Sequence, residues 1–208
     1  MDLTNDTAIR IRQSTHDLFM QYGLKSVSMD DIAAKMGISK KTIYQFYSDK
    51  EQLVAEVVTA IIKHNQQTCD IDRSRSDNAV HGIFLSMEQM SLLFHAMNPS
   101  ILFDLYKYYP QSFKIFEAHK NDYLYGVIKE NIIRGIGETL YRPEIKIDIM
   151  ARFRVESIIV PFKPEFQSSV KSNLATIAEE LATHFLFGIV TEKGYKLILK
   201  YLKENAKK

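Results

Sequence analysis

Ser28-Met29-Asp30-Asp31-Ile32-Ala33-Ala34-Lys35-Met36-Gly37-Ile38-Ser39-Lys40-Lys41-Thr42-Ile43-Tyr44 is the stretch whose reading decides the fold. Ser28 followed by Asp31 matches a capping box, in which each side chain satisfies an unpaired backbone N–H. The spacing therefore starts a short helix at Ser28, carries it through Ile32, Ala33 and Met36, and breaks it at Gly37. Ser39 is the natural N-cap of the next helix, expected over about Lys40–Phe46. Two short helices joined at a glycine make a helix-turn-helix. That unit needs a small residue where the helices cross, which Ala33 supplies. It also needs a turn residue for which positive φ is cheap, and Gly37 supplies that. Ile32, Ile38 and Ile43 can grip the turn from both sides. Lys40, Lys41, Thr42 and Tyr44 are then placed to face base edges in a major groove.

Working outward, a preceding helix is expected over Thr7–Tyr22, with Ile11, Thr15, Leu18 and Phe19 on one face and Gly23 as its stop. Downstream, Ser48 with Glu51 reads as a second capping box, opening a long helix through Leu53, Val57, Ala60 and Ile61. Asp70–Asn78 is polar and charge-mixed and reads as a linker. Beyond it, helical periodicity continues to the end. One helix runs from Val80 to Pro99, a short one spans Ile101–Lys107, and a long one follows Pro110 up to Gly135 and Gly137. Pro143 fits the first turn of the next helix, whose apolar positions read as Ile149, Met150, Phe153 and Ile158 before Pro161 and Pro164 interrupt it. Two last helices are expected over Lys171–Phe187 and Lys193–Asn205. No run of paired strands is visible, so the expected class is all-α.

With 46% hydrophobic and 25% charged residues, the chain has enough apolar content for a sizeable core, against disorder. Its single cysteine, Cys69, cannot form an internal bridge and reads as an inert buried thiol in a cytoplasmic protein. Residues 1–12 lack the apolar core of a secretory leader, and nothing approaches the length of a membrane span, so no membrane association is expected. A net charge of +2 does not decide for or against a nucleic-acid partner; the placement of the lysines does. No Gly-rich phosphate loop, His-Glu-x-x-His or paired cysteine ligand set occurs, and the six histidines are scattered. Neither an enzyme, a metal site nor a cofactor is expected.

Residues 11–57 resemble the DNA-binding domain of the TetR family of bacterial transcriptional regulators. The resemblance is carried by Ile11…Leu18-Phe19…Gly23, by Ser28-Met29-Asp30-Asp31-Ile32-Ala33, by Gly37 through Tyr44, and by Phe46-Tyr47-Ser48-Asp49-Lys50-Glu51-Gln52-Leu53. Tyr47 departs from a commoner Phe, and its hydroxyl needs a partner. The resemblance implies an N-terminal three-helix DNA-binding domain (1–50) joined by a long helix to a larger effector-binding and dimerisation domain (51–208). It implies that Ser28 touches a phosphate, that Lys40, Lys41, Thr42 and Tyr44 face a double-stranded operator, and that Lys50 holds the DNA backbone. It makes repression the default.

The remainder is rich in large flexible and aromatic side chains. Phe84, Met87, Phe94, Phe113, Phe116, Tyr123 and Phe153 are the candidates for lining a mostly apolar effector site, with core packing as the competing reading. His95, His119, Arg134 and Arg152 are candidate polar anchors. A homodimer is expected on the last two helices, through Leu174, Ile177, Ala178, Leu181, Phe185 and Ile189, and through Leu197, Ile198, Tyr201 and Leu202. The alternative is a helical scaffold or protein-interaction module without DNA binding, which does not account for two lysines opening a recognition helix.

Overall fold

The computed structural model describes residues 3–205, with side chains from residue 6, so the reading of residues 1–12 falls partly outside the described residues. The fold is all-α. Among the described residues there is no strand, only one isolated antiparallel bridge between Tyr141 and Val190. The helices are α1 (Leu3–Tyr22), α2 (Met29–Met36), α3 (Lys40–Tyr44), α4 (Lys50–Arg75), α5 (Ala79–His95) and α6 (Ile101–Tyr108). They continue as α7 (Pro110–Ala118), α8 (Tyr125–Gly137), α9 (Ile147–Ser157), α10 (Pro164–Ser169), α11 (Leu174–Ile189) and α12 (Glu192–Asn205). A π-helical turn, His119–Leu124, separates α7 from α8, and a 3₁₀ turn, Val160–Phe162, follows α9.

The chain forms two compact units, and their division is not at residue 50. The first unit holds the chain up to Asn65 together with Ala96–Ala118. Its core is built on Ile11, Phe19, Ile32, Ile43 and Leu53, all essentially without solvent contact. The segment from Ala96 joins it through polar contacts as well as through Leu105. Asn98 N–H donates to the Met20 carbonyl (2.7 Å), and Lys25 N–H donates to Oδ2 of buried Asp104 (2.9 Å). These contacts satisfy a carbonyl at the C-terminus of α1 and an amide of the turn that follows, groups that burial would otherwise leave costly. The hydroxyl of Tyr47 finds its partner in the Ala8 carbonyl at 2.9 Å.

The second unit comprises Gln66–His95 and the chain from His119 onward. Val80, Ile132, Tyr141, Leu186, Ile189 and Ile198 form its centre. Tyr141 donates its hydroxyl to Asn131 Oδ1 (3.1 Å) and lays its ring against Gly135 of α8.

Several expectations need correction. The expected linker 70–78 is mostly helix, because α4 runs to Arg75, where Arg73 pairs with Glu130 and Arg75 with Asp72. Pro143 lies in a turn ahead of α9 rather than in its first helical turn, two residues after Tyr141 bridges to Val190. The inward face of α9 is not the one its large apolar residues predict. Ile149 and Phe153 are exposed, whereas Ala151, Arg154 and Val155 face inward. The proposed dimer stripe is also occupied. Leu174, Ile177, Ala178, Phe185, Ile189, Ile198 and Tyr201 are buried within the single chain, where α11 and α12 pack on α5. Cys69 is partly buried, and burial pushes its thiol up to about 11, as an inert thiol requires.

Two glycines of α8 should respond oppositely to alanine. A Cβ at Gly135 would overlap the Tyr141 ring, and one at Gly126 would meet nothing within 4 Å. Gly126→Ala should stabilise by roughly 0.5–1 kcal/mol through helix propensity. Gly135→Ala should destabilise, because overpacking of roughly 1–3 kcal/mol or more outweighs that same gain. Denaturant melts of the two variants check the signs.

Candidate nucleic-acid interface

The candidate interface is assembled from the caps of α2 and α3. Ser28 is extended (φ −97°, ψ 166°), and its Oγ accepts from Asp31 N–H (3.2 Å). Asp31 Oδ2 accepts in return from Ser28 N–H (2.7 Å) and from the Ser28 hydroxyl (2.6 Å), completing the expected box. Those hydrogen bonds from Ser28, the side-chain one first, hold the Asp31 carboxyl below its ordinary value.

Gly37 then adopts φ 65°, ψ 30°. Its N–H donates to the Ala34 carbonyl (3.2 Å), and Ile38 N–H reaches back to Ala33 (3.1 Å), a Schellman ending for α2. Nothing lies within 4 Å of a Cβ added at Gly37, so backbone conformation, and not space, selects glycine there. Ser39 caps α3, its Oγ accepting from Thr42 N–H at 3.1 Å. Ile43 is completely buried, and this fixes the rotation of α3 about its axis. With Ile43 turned inward, Lys40 and Lys41 face solvent, Thr42 is half-buried, and Tyr44 stands 45% exposed. With its ring this exposed, Tyr44 is not part of the core of the first unit.

The candidate residues are thus gathered on one segment, with differences among them. Lys40 Nζ donates to Asp30 Oδ2 (2.8 Å), which raises its pKa. Both partners are exposed, so the pair is weak and screened by salt. The Thr42 hydroxyl shares a hydrogen bond with Ser39 Oγ (2.8 Å). Lys50 is placed differently from its neighbours. It opens α4, yet its Nζ donates inward to the Leu24 carbonyl (2.6 Å) and lies 5.8 Å from the Phe19 ring and 5.5 Å from the Tyr109 ring. Burial there lowers its pKa. Reaching a phosphate would require the ammonium to leave that carbonyl. The cap of α4 is Asp49 and not Ser48: Asp49 Oδ1 accepts from Gln52 N–H (2.8 Å), while Ser48 N–H donates to Gln52 Oε1 (2.6 Å). A carboxylate is a stronger acceptor for helix-terminal amides than a hydroxyl.

The residues expected to line an effector site are not brought together. Phe113 and Phe116 pack against the core of the first unit. In the second unit, Phe84 packs on Tyr201 (5.3 Å), Phe94 meets Phe162 edge-on (5.1 Å), and Met87 is buried. Tyr123 stacks on His119 (5.4 Å) and donates to the Gln66 carbonyl (3.0 Å), whereas Phe153 is 53% exposed. A cavity of about 280 Å³ in the second unit is lined by none of the seven, but by Asp72, Ser76, Gly82, Asn131 and Arg134 among others. Arg134 is committed there, donating to Glu138 (2.7 Å), the Ser76 hydroxyl (2.7 Å) and the Ser76 carbonyl (2.9 Å). Arg152 donates to Asn121 (3.0 Å). His119 is buried with its pKa lowered, and His95 lies exposed against the Ser91 carbonyl.

Residues 11–57 match the family described as "Bacterial regulatory proteins, tetR family". Over 194 residues the chain is 26% identical to the HTH-type transcriptional regulator YvaF of Bacillus subtilis, covering 88% of this chain and 96% of that protein. A TetR-family transcriptional regulator from Agrobacterium tumefaciens superposes with a TM-score of 0.76 at 14% identity, covering 90% of this chain and 100% of that one. A transcriptional regulator from Saccharomonospora viridis, in complex with choline, superposes with a TM-score of 0.71 at 15% identity over 90% and 100% of the two chains.

Two outcomes follow for the interface. Gly37→Ala should lose about 1–2 kcal/mol of stability, the strain of a left-handed residue carrying a Cβ. Because the Asp31 carboxyl is depressed in the fold, its contribution is complete above the ordinary value of 3.8 and disappears as pH falls through the lower folded value. Carboxyl chemical shifts followed through an acid titration should place Asp31 below that value, and Ser28→Ala should return it towards the ordinary one.

Proposed function

We infer that this chain, whose residues 11–57 place it in the TetR family of bacterial regulatory proteins, is a sequence-specific DNA-binding repressor working as a homodimer on a near-palindromic operator. The observation that carries this reading is the rotation of α3. Ile43 is sealed in the core, so Lys40, Lys41 and Tyr44 are held outward on a helix that a glycine turn sets apart from α2. In this reading Lys41 and Tyr44 meet base edges, Lys40 exchanges Asp30 for a base or a phosphate, and Thr42 and Ser28 meet the backbone. Lys50 reaches a phosphate only by exchanging the Leu24 carbonyl for it.

The second unit takes a small, mostly apolar effector that favours the arrangement unable to bind DNA, so that its binding releases the operator. A neighbour of the same fold holds a small molecule, choline, which is consistent with that role. Dimerisation uses the outer faces of α11 and α12, since their inner faces are spent on the chain's own core. Phe187, Tyr195 and Leu199 remain exposed there, with the Phe187 and Tyr195 rings 5.5 Å apart. A two-fold partner would cover this patch. Sedimentation should give a dimer at micromolar concentration, and Phe187→Lys with Tyr195→Lys should give a folded monomer; a wild-type monomer contradicts the assembly.

Lysine replacements test the DNA reading. Lys41→Ala should cost on the order of 1–3 kcal/mol on the operator and less on random DNA. Lys50→Ala should weaken both DNAs by similar factors and reduce the salt slope by about one unit for each phosphate that a half-site no longer neutralises. It should also lower the melting temperature, because it removes the donor to Leu24. The reverse assignment of sequence preference would mean that α3 enters the groove in a different orientation.

A further inference from the structure

The cavity of about 280 Å³ lies within the second unit, walled by the C-terminal end of α4, the first half of α5 and the middle of α8. Its volume falls just below the roughly 300–1,000 Å³ of ordinary ligand pockets, so its occupant is a small molecule. Most polar groups on the wall are committed to the protein itself. Arg134 donates to Glu138 and to both oxygens of Ser76. Asn131 donates to the Ala79 carbonyl (2.9 Å) and accepts from Tyr141 (3.1 Å), and Ser86 donates to the Ile83 carbonyl (2.8 Å). Arg73 and Glu130 pair with each other, and both are exposed.

Asp72 is the buried carboxylate of this wall, 5% exposed. Its ion-pair partner is Arg75, which reaches Oδ1 at 2.9 Å but is half-exposed and does not line the cavity. A carboxylate has two oxygens and about four acceptor positions, and one guanidinium nitrogen does not use them up. Burial raises the Asp72 pKa, and the opposing charge of Arg75 does not restore it. The negative charge is therefore under-compensated on the side that Arg75 does not occupy. The rest of the wall adds no free charge. The Arg73–Glu130 and Arg134–Glu138 pairs each cancel, and burial keeps the Cys69 thiol un-ionised.

We propose that this cavity binds a small primary ammonium ion on an apolar body, with the Asp72 carboxylate receiving its charge. The inference rests on the reading of the second unit as effector-binding, and it gives that effector a place and a chemical class. An ammonium brings three donors and one positive charge to a carboxylate with spare acceptor positions. Val127 and the bare Cα of Gly82 offer carbon to the rest of the molecule. A carboxylate ligand has the wrong sign, since it would face Asp72 while the donors of Arg134 are engaged elsewhere.

The test uses the full-length chain without DNA, so its outcome is independent of operator binding. Calorimetry compares benzylamine and hexylamine with benzyl alcohol and 1-hexanol, which match them in shape without the charge, and with sodium benzoate. At least one amine should bind roughly tenfold or more tightly than its alcohol. Asp72→Asn should abolish that preference and melt no lower than the wild type, because burial disfavours the charge it removes. Ser86→Leu, which puts a larger side chain on the same wall, should weaken the amine at least tenfold with Asp72 intact. Equal binding of amine and alcohol, no amine binding, tighter binding of benzoate, or a preference that survives in Asp72→Asn would each overturn the proposal. So would unchanged amine binding by Ser86→Leu, since the amine would then sit outside this cavity. Whether a bound amine releases operator DNA is a separate measurement, and a negative result there counts against the effector reading while leaving the site in place.

Discussion

The positive φ of Gly37 is the constraint on which the arrangement of α2 and α3 depends. A left-handed residue ends α2 within one turn, brings Ile38 back over Ala33, and leaves Ser39 free to cap the next helix. Only then does Ile43 reach the core formed by Ile11, Phe19 and Ile32. The direction in which Lys40, Lys41 and Tyr44 point is thus set by buried isoleucines, a backbone angle and the Ser39 cap. A recognition surface positioned by apolar packing holds its orientation while its lysines stay at the surface, available to an anionic partner.

Most of the first unit was legible because its signals are local. A serine and an aspartate three residues apart, a glycine, and isoleucines at fixed offsets each act over one helical turn, and each appears as read. What escaped was non-local. No periodicity reveals that Asn98 and Asp104 hold the end of α1 and the turn beyond it, so the participation of Ala96–Ala118 in the first unit was hidden. The place of Lys50 in its motif carries no sign of its inward path, which depends on the Leu24 carbonyl 26 residues away.

The second unit was less legible because composition cannot separate a pocket from a core. Aromatic and methionine stripes indicate burial without saying against what, and Phe113, Phe94 and Phe153 proved to serve three different surroundings. A signal for Arg154 did exist. Ala151, Val155 and Ile158 follow one another at four- and three-residue steps, and Arg154 falls inside that stripe. Size misled the reading, since Ile149 and Phe153 are the larger apolar residues of α9 and they face out. The dimer stripe failed for a related reason: an amphipathic face shows that something covers it, and in α11 and α12 the cover is the same chain.

The central claim is that the segment from Ser28 to Tyr44 recognises a DNA sequence. Electrophoretic mobility shift of the full-length protein on the DNA upstream of its own gene, at physiological salt and with random DNA in excess, tests it most directly. The account predicts a retarded complex on that DNA that random competitor does not remove and that Lys41→Ala weakens. Retardation of every sequence alike, or of none, would contradict it.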